Sequence, residues 1–247
     1  MNYKIYSFDL DGTLARSKTP ITPEISNLLK IILDNHNVAI ITGGKFSRFL
    51  KQVLPFLPEE TKLENLILLP TSGGQYYIFK SNNWEKIYSE DLTKDQKEEI
   101  LNAFNLAFEN SGFKPEIVYG DIIEDRGTQI TYSALGQKCP VDIKEKWDPD
   151  QHKRKEIQRR LRNFLHDYTI TIAGTTSIDV TPKFLDKEFG MRKLMEITKT
   201  KPDEIIFFGD KLQEGGNDYP VTRTGVKCVG VKNPDETLTI LTRAFKE

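Results

Sequence analysis

Cysteine is nearly missing from this chain: its 247 residues hold two, Cys139 and Cys228. Two thiols at that spacing exclude a disulfide framework and a cysteine metal site. Histidine is as scarce, and the isolated His36, His152 and His166 exclude a histidine-rich metal site. An excess of charge is also lacking, with 35 basic and 36 acidic side chains, a net charge of −1 and a pI of about 6.4. That balance speaks against a broad basic surface for nucleic acid. Long apolar runs do not occur. The best, Leu66–Leu69 and Ile205–Phe208, are strand length, well short of the roughly 18–20 residues that span a bilayer. Met1–Tyr6 moves directly into a strand pattern, with no signal-peptide apolar region. These absences predict a soluble protein of a reducing, cytoplasmic compartment, with no nucleic-acid and no membrane partner. The length predicts one to two domains.

What the chain does have is alternation. Tyr3–Phe8 reads as a strand ending at Asp9. Thr22 and Pro23 suit the N-cap and first position of a helix whose apolar stripe is Ile25, Leu28, Leu29, Ile32 and Leu33. Asn37–Ile41 is a second strand ending at Thr42-Gly43-Gly44, followed by a helix through Phe46, Phe49, Leu50, Val53 and Leu54. Leu66–Leu69 is a third strand, and Gln75–Phe79 extends it after Gly73-Gly74. The pattern returns late, with a helix over Phe189–Thr198, a strand over Glu204–Phe208, a strand over Gly225–Val231 and a helix over Asp235–Phe245. Strands alternating with helices predict an α/β fold, a Rossmann-like doubly wound parallel sheet with helices on both faces.

The middle of the chain differs. Thr93–Glu109 is a helix, with Thr93 and Gln96 at capping-box spacing. Ile117–Tyr119, Asp121–Ile123 and Gln129–Ser133 read as short strands. Gln151–His166 is a charged helix with Ile157, Leu161, Phe164 and Leu165 facing inward and a solvated outer face, and Tyr168–Ala173 with Ser177–Thr181 reads as a hairpin. Consecutive strands plus two helices predict an α+β unit over residues 82–185, inserted into a core of residues 1–81 and 186–247. The chain crossings fall near Lys80–Asn83 and Lys183–Asp186. Trp84 and Trp147 read as packing residues, and Cys139, with no histidine nearby, is not read as a nucleophile.

Chemistry concentrates at the predicted strand ends. Asp9 and Asp11, in Asp9-Leu10-Asp11-Gly12-Thr13, lie just past the first strand, where open α/β sheets bind ligands. An ordinary Asp-Gly turn is the plain alternative for this pair. Thr42, Gly43 and Gly44 end the second strand with a hydroxyl and free N–H groups suited to a phosphate oxygen. Asp186-Lys187 stands where the chain re-enters the core. Asp210 ends the late strand, and Gly215-Gly216-Asn217-Asp218 follows.

This set resembles the haloacid dehalogenase superfamily of aspartate-nucleophile phosphotransferases. Its four motifs match Asp9–Leu14, Thr42, Lys187 and Asp210–Asp218, with the insertion in the place of the superfamily's large cap. Phe207–Asp218, Ser177–Pro182 followed by Asp186-Lys187, and Arg126 ten residues before Gly136 narrow the resemblance to eukaryotic-type phosphomannomutases.

The resemblance implies Asp9 as nucleophile, Asp11 as general acid and base, and Lys187 and Thr42 as groups that offset charge on the transferring phosphoryl. It implies Mg2+ on Asp9, the Asp11 carbonyl and Asp210, with Asn217 and Asp218 in support, and a hexose 1,6-bisphosphate activator for a mutase. Gly43, Gly44, Lys18, Arg126, Gln137, Lys144, Ser177 and Asp179 fall on positions that would bind a phosphorylated hexose. It further implies a homodimer through the cap. The family carries arginine where this chain has Gln137 and Lys144, and neither change preserves a bidentate phosphate grip. Three functions remain open from sequence: a sugar phosphomutase interconverting hexose 1- and 6-phosphates through an aspartyl phosphate, a phosphatase of the same superfamily, and a binding module without activity.

Overall fold

Every residue of Ile5–Asp9 is buried, and this segment forms β1 at the heart of a seven-stranded sheet. The computed structural model describes residues 3–109 and 111–245. In chain order its elements are β1 (Ile5–Asp9), α1 (Pro23–Leu33), β2 (Asn37–Ile41), α2 (Phe46–Gln52), β3 (Leu66–Leu69), β4 (Gln75–Lys80), β5 (Asn83–Ser89), α3 (Lys94–Phe108), β6 (Ile123–Asp125), β7 (Ile130–Ser133), α4 (Val141–Trp147), α5 (His152–Leu161), β8 (Tyr168–Ala173), β9 (Ser177–Pro182), α6 (Lys187–Thr198), β10 (Ile205–Gly209), β11 (Lys227–Gly230) and α7 (Pro234–Phe245). They divide into two compact units, Met1–Ser89 with Leu185–Glu247, and Glu90–Phe184.

The first unit is the α/β sheet, in the order β11-β10-β1-β2-β3-β4-β5. The five strands from β11 to β3 are parallel, and β4 and β5 add an antiparallel edge. The strands carry apolar residues on both faces because both faces are covered. Tyr6, Phe8, Val38, Ile40 and Phe208 pack against the stripe of α1 with Phe49 and Leu241, while Ile5, Ile41, Leu69 and Phe207 pack against Met191 and Leu194 of α6. From β1 the chain builds outward in one direction through β2 and β3, and later in the other through β10 and β11. The order therefore reverses beside β1, which is the switch point where such sheets bind ligands.

Strand β5 corrects the expected boundary. Residues 82–89, assigned from sequence to the insertion, belong to the first unit's sheet. The crossing expected near Lys80–Asn83 is instead a two-residue hairpin turn, with Ser81 at φ 49° and Asn82 at φ 59°. Paired left-handed residues match the strand twist, but Ser-Asn lacks the glycine that usually announces such a turn.

The second unit is a four-stranded antiparallel sheet, β6-β7-β9-β8, with one face closed by α3 and α5. Ile130, Tyr132, Ile178, Val180 and Ile170 meet Ile100, Phe104, Ile157 and Leu161 there. Thr93 and Gln96 form the expected capping box on α3. Three expectations fail. Ile117–Tyr119 is not a strand, the strand expected over Asp121–Ile123 begins at Ile123, and Phe164 is 44% exposed beyond the end of α5. Helix α4 went unseen because it buries no residue and so carries no apolar stripe.

Candidate active site

Parallel strands end on one edge of their sheet, so β1 and β10 deliver Asp9 and Asp210 to the same place. Asp9 is the last residue of β1 and 3% exposed. Its Oδ1 accepts a hydrogen bond from Lys187 Nζ, and its Oδ2 is buried without a partner. Burial pushes this carboxyl up to about 6, against the pull of Lys187 and with help from the charges of Asp218 and Asp210.

Lys187 opens α6, behind an N-cap in which Asp186 Oδ1 accepts from the Phe189 N–H at 3.0 Å. Its ammonium is 1% exposed and also donates to Asp218 Oδ1 at 2.6 Å. Burial alone would lower its pKa. The two carboxylates overcome that and raise it, so the charge is held. Asp218 Oδ2 accepts from the Lys211 N–H at 3.0 Å, which closes the loop after β10 onto itself.

Asp210 keeps one buried oxygen, Oδ1, without a partner. Burial raises its pKa, Lys211 opposes this, and Asp218 adds to the rise. One oxygen each from Asp9, Asp210 and Asp218 lie within 4.8 Å of one another. Gly12 explains its own presence: at φ +95° only glycine is at ease, and a Cβ there would strike the Asp210 carboxylate.

Asp11 is held from two sides. Its Oδ1 accepts from the Lys18 N–H at 2.8 Å and its Oδ2 from the guanidinium of Arg48. Lys18 thus contributes its backbone, at φ 61°, while its side chain is exposed. Arg48 escaped the sequence reading, since nothing in its place on α2 announces a partner 37 residues away. Thr42 is buried, and its Oγ1 accepts from the Gly44 N–H at 3.2 Å, while Gly43 is exposed. The loop after β3 braces this segment, with Ser72 N–H donating to the Thr42 carbonyl at 2.8 Å. Thr71, Ser72 and Gly73 all take positive φ there, and Gly73 lies against Gly190 of α6. Asn217 is exposed in the loop after β10.

In the second unit Ser177 and Asp179 share the sheet face opposite α3 and α5, Arg126 and Gln137 reach that face, and Lys144 meets Gln137. Cross-strand register sets Thr131 beside Asp179 and Ser133 beside Ser177. Thr131 donates to Asp179 at 2.7 Å, and the Ser133 and Ser177 hydroxyls are 2.9 Å apart. Gln137 Nε2 donates to Ser133 Oγ at 2.9 Å, and Lys144 Nζ to the Gln137 carbonyl at 3.2 Å. Arg126 grips Glu124 through Nε and Nη2 at 3.1 and 2.9 Å and reaches Asp179 at 3.9 Å. Burial raises the Asp179 pKa despite Arg126. Glu124, Thr131 and Ser133 were not anticipated, although period-2 alternation through β7 would have placed the last two on this face.

A family model for eukaryotic phosphomannomutase matches residues 26–247. The chain belongs to the eukaryotic phosphomannomutase family. Its relatives include the phosphomannomutase of Spinacia oleracea, 30% identical over 96% of this chain and 94% of that protein. The phosphomannomutase of Saccharomyces cerevisiae is 27% identical over 96% of this chain and 92% of its own. Membership in the phosphomannomutase family makes the protein an enzyme of the phosphomutase class. Solved structures show the same fold. An N-terminal truncated IMP-bound Plasmodium falciparum IMP-nucleotidase superposes with a TM-score of 0.67 at 17% identity, over 99% of this chain and 68% of that one. A haloacid dehalogenase-like hydrolase from Bacteroides thetaiotaomicron gives 0.66 at 15% identity, over 98% and 99%. These likenesses show a haloacid dehalogenase-like fold.

Proposed function

We propose that this phosphomannomutase-family enzyme interconverts hexose 1- and 6-phosphates, mannose phosphate among them, through a phosphoryl group carried on Asp9. One observation carries the reading: a buried carboxylate has one oxygen held by a buried lysine and the other left without a partner. Oδ2 of Asp9 attacks phosphorus while Lys187 holds Oδ1 and offsets the charge that gathers there. Asp11, two residues along, gives a proton to the departing sugar oxygen and takes one back when the sugar's other hydroxyl attacks the aspartyl phosphate. The Thr42 hydroxyl and the Gly43 N–H supply donors for the phosphoryl oxygens, while the Gly44 N–H, expected to join them, is taken by Thr42 Oγ1.

The residues fit Mg2+. Beside the clustered carboxylates of Asp9 and Asp218, Asp210 keeps a buried oxygen, Oδ1, that has no partner and takes no part in the attack on phosphorus. Hard oxygen donors of this kind suit a magnesium ion that completes its shell with water and phosphate. Asp9, Asp210 and the Asp11 carbonyl would hold it, with Asp218 and Asn217 in support, and the ion would neutralise charge between carboxylates and phosphate. Fully ionised, three carboxylates against Lys187 leave two negative charges in excess, which repels a phosphate unless a cation answers them.

We assign Arg126, Lys144, Gln137, Ser177 and Asp179 to the sugar hydroxyls and the phosphate that does not react, with Lys18 as a further cation. A hexose 1,6-bisphosphate is the activator this chemistry needs, because it loads Asp9. The same reading takes the second unit as a cap, places the enzyme in the cytoplasm, and expects a homodimer through that unit, whose Ile117 and Val141 are 64% and 67% exposed.

The test supplies mannose 1-phosphate, Mg2+ and a catalytic amount of hexose 1,6-bisphosphate, and measures mannose 6-phosphate and inorganic phosphate. Isomer with little phosphate is expected. Phosphate without isomer would overturn the mutase in favour of a phosphatase, and retained turnover in Asp9→Asn would remove Asp9 as nucleophile.

A further inference from the structure

The Asp11 carboxylate is fixed by partners from two separate elements. The Lys18 N–H, from the loop that follows β1, takes Oδ1, and the Arg48 guanidinium, from the first turn of α2, takes Oδ2. The pair is about a quarter to a third exposed, so it stands at the rim of the site and not in the core.

The course of Arg48 is built into the fold. Phe49 is fully buried in the core, and the Phe46 ring stacks on Tyr77 with centroids 4.2 Å apart, which together set how α2 lies. The Arg48 stem then crosses directly over Gly44. A Cβ at Gly44 would collide with Arg48 Cδ and would lie 2.7 Å from Nε. Gly44 has no positive φ to explain it. Its lack of a side chain leaves the passage that Arg48 uses to reach Asp11.

We propose that Arg48 is a positioning residue for the phosphoryl-transfer reaction, and that Gly44 is glycine so that Arg48 can reach Asp11. This rests on the reading of Asp11 as the group that serves the sugar oxygen. In that step the bond from Asp9 Oδ2 to phosphorus forms and the bond from phosphorus to the sugar oxygen breaks. The electron pair stays on that oxygen, which takes the proton from Asp11. A carboxyl that swings freely spends little time facing that oxygen. Arginine, with a planar fork of donors, fixes the angle of a carboxylate better than a lysine does.

The claim is tested by how the rate depends on the leaving group. An alkoxide departs badly without a proton, whereas p-nitrophenolate departs without one. Phosphoenzyme formation is followed by rapid quench in Mg2+ with the full chain, using either hexose 1,6-bisphosphate or p-nitrophenyl phosphate as donor. Arg48→Met is expected to slow formation from the bisphosphate by about 10²-fold, the scale of a misplaced catalytic group. It should leave p-nitrophenolate release within about 3-fold of wild type. Gly44→Ala should also slow formation from the bisphosphate, because its new Cβ displaces the Arg48 stem. Arg48→Lys, which keeps the charge and loses the fork, should fall between and also serves if Arg48→Met fails to fold.

Equal slowing with both donors would make Arg48 a phosphate ligand or a purely structural residue and overturn the proposal, and so would no slowing with either. Asp11→Asn separates this proposal from the reading beneath it. If Asp11→Asn shows no leaving-group selectivity, the role of Asp11 is wrong. If it is selective and Arg48→Met is not, the role of Arg48 is wrong.

Discussion

Replacing Lys187 by methionine should destabilise the metal-free enzyme in a way that grows with pH. The side chain is 1% exposed and its ammonium lies between Asp9 Oδ1 and Asp218 Oδ1. Methionine fills much the same volume but leaves two buried carboxylates without their cation. Removing one member of a buried ion pair costs about 3–5 kcal/mol. That loss has a release, however. Asp9 already binds its proton more tightly than an unfolded carboxyl does, with a pKa near 6 against an ordinary value of 3.8, and losing Lys187 moves it further up. A carboxyl raised in the folded state favours folding at low pH, and that contribution is lost as pH rises through the folded pKa. At pH 5 the variant therefore protonates Asp9 and is left with the cost at Asp218 alone, whereas at pH 8 it carries close to the full cost, about 3 kcal/mol or more. Urea unfolding in EDTA at pH 5, 6, 7 and 8 measures this, with Trp84 as the probe of the first unit in a Trp147→Phe background. A deficit that is constant with pH, or larger at pH 5, would refute the electrostatic account of the Asp9–Lys187–Asp218 cluster. The same variant should form no detectable aspartyl phosphate at pH 7.

Mg2+ at about 100 times its Kd should stabilise the enzyme by about 2.7 kcal/mol, and Asp210→Asn should abolish that shift in a thermal melt, since Asp210 supplies one of the two partnerless oxygens. Gly12→Ala should cost about 1–3 kcal/mol from its φ of +95° and weaken Mg2+ binding in calorimetry, because its Cβ meets the Asp210 carboxylate; unchanged affinity would refute that contact. In the second unit, Asp148→Asn should cost about 3–5 kcal/mol at pH 7, because buried Arg154 loses its 2.7 Å partner. Burial pushes Asp148 up, but Arg154 and the backbone N–H groups of Lys153 and Arg154 outweigh it and hold the pKa low. Wild type should therefore begin to lose this advantage as pH falls below about 4, and a Trp147-detected gap as large at pH 3 as at pH 7 would refute it.

The core of the site was legible because strand ends are written locally. Tyr3–Phe8 and Glu204–Phe208 are apolar runs that stop at acids, and parallel pairing of β1 with β10 carries Asp9 and Asp210 to one edge. Period and capping likewise announced α1 and α3. Local pattern failed where stability came from elsewhere. The hairpin of β4 and β5 uses a glycine-free turn, α4 has no buried face, and Phe164 lies past a helix that ends three residues earlier, at Leu161.

By itself the sequence determined the types of group, the strands that present them and the family they belong to, since each of these depends on residues close in the chain. Only the tertiary structure decided their electrical state and aim. Lys187 is 178 residues from Asp9 and is buried against it, and Arg48 is 37 residues from Asp11 and grips it across Gly44. Burial and charge act through space, so pKa and orientation are set by whichever side chains folding brings near. A linear pattern names those side chains without stating which of them meet.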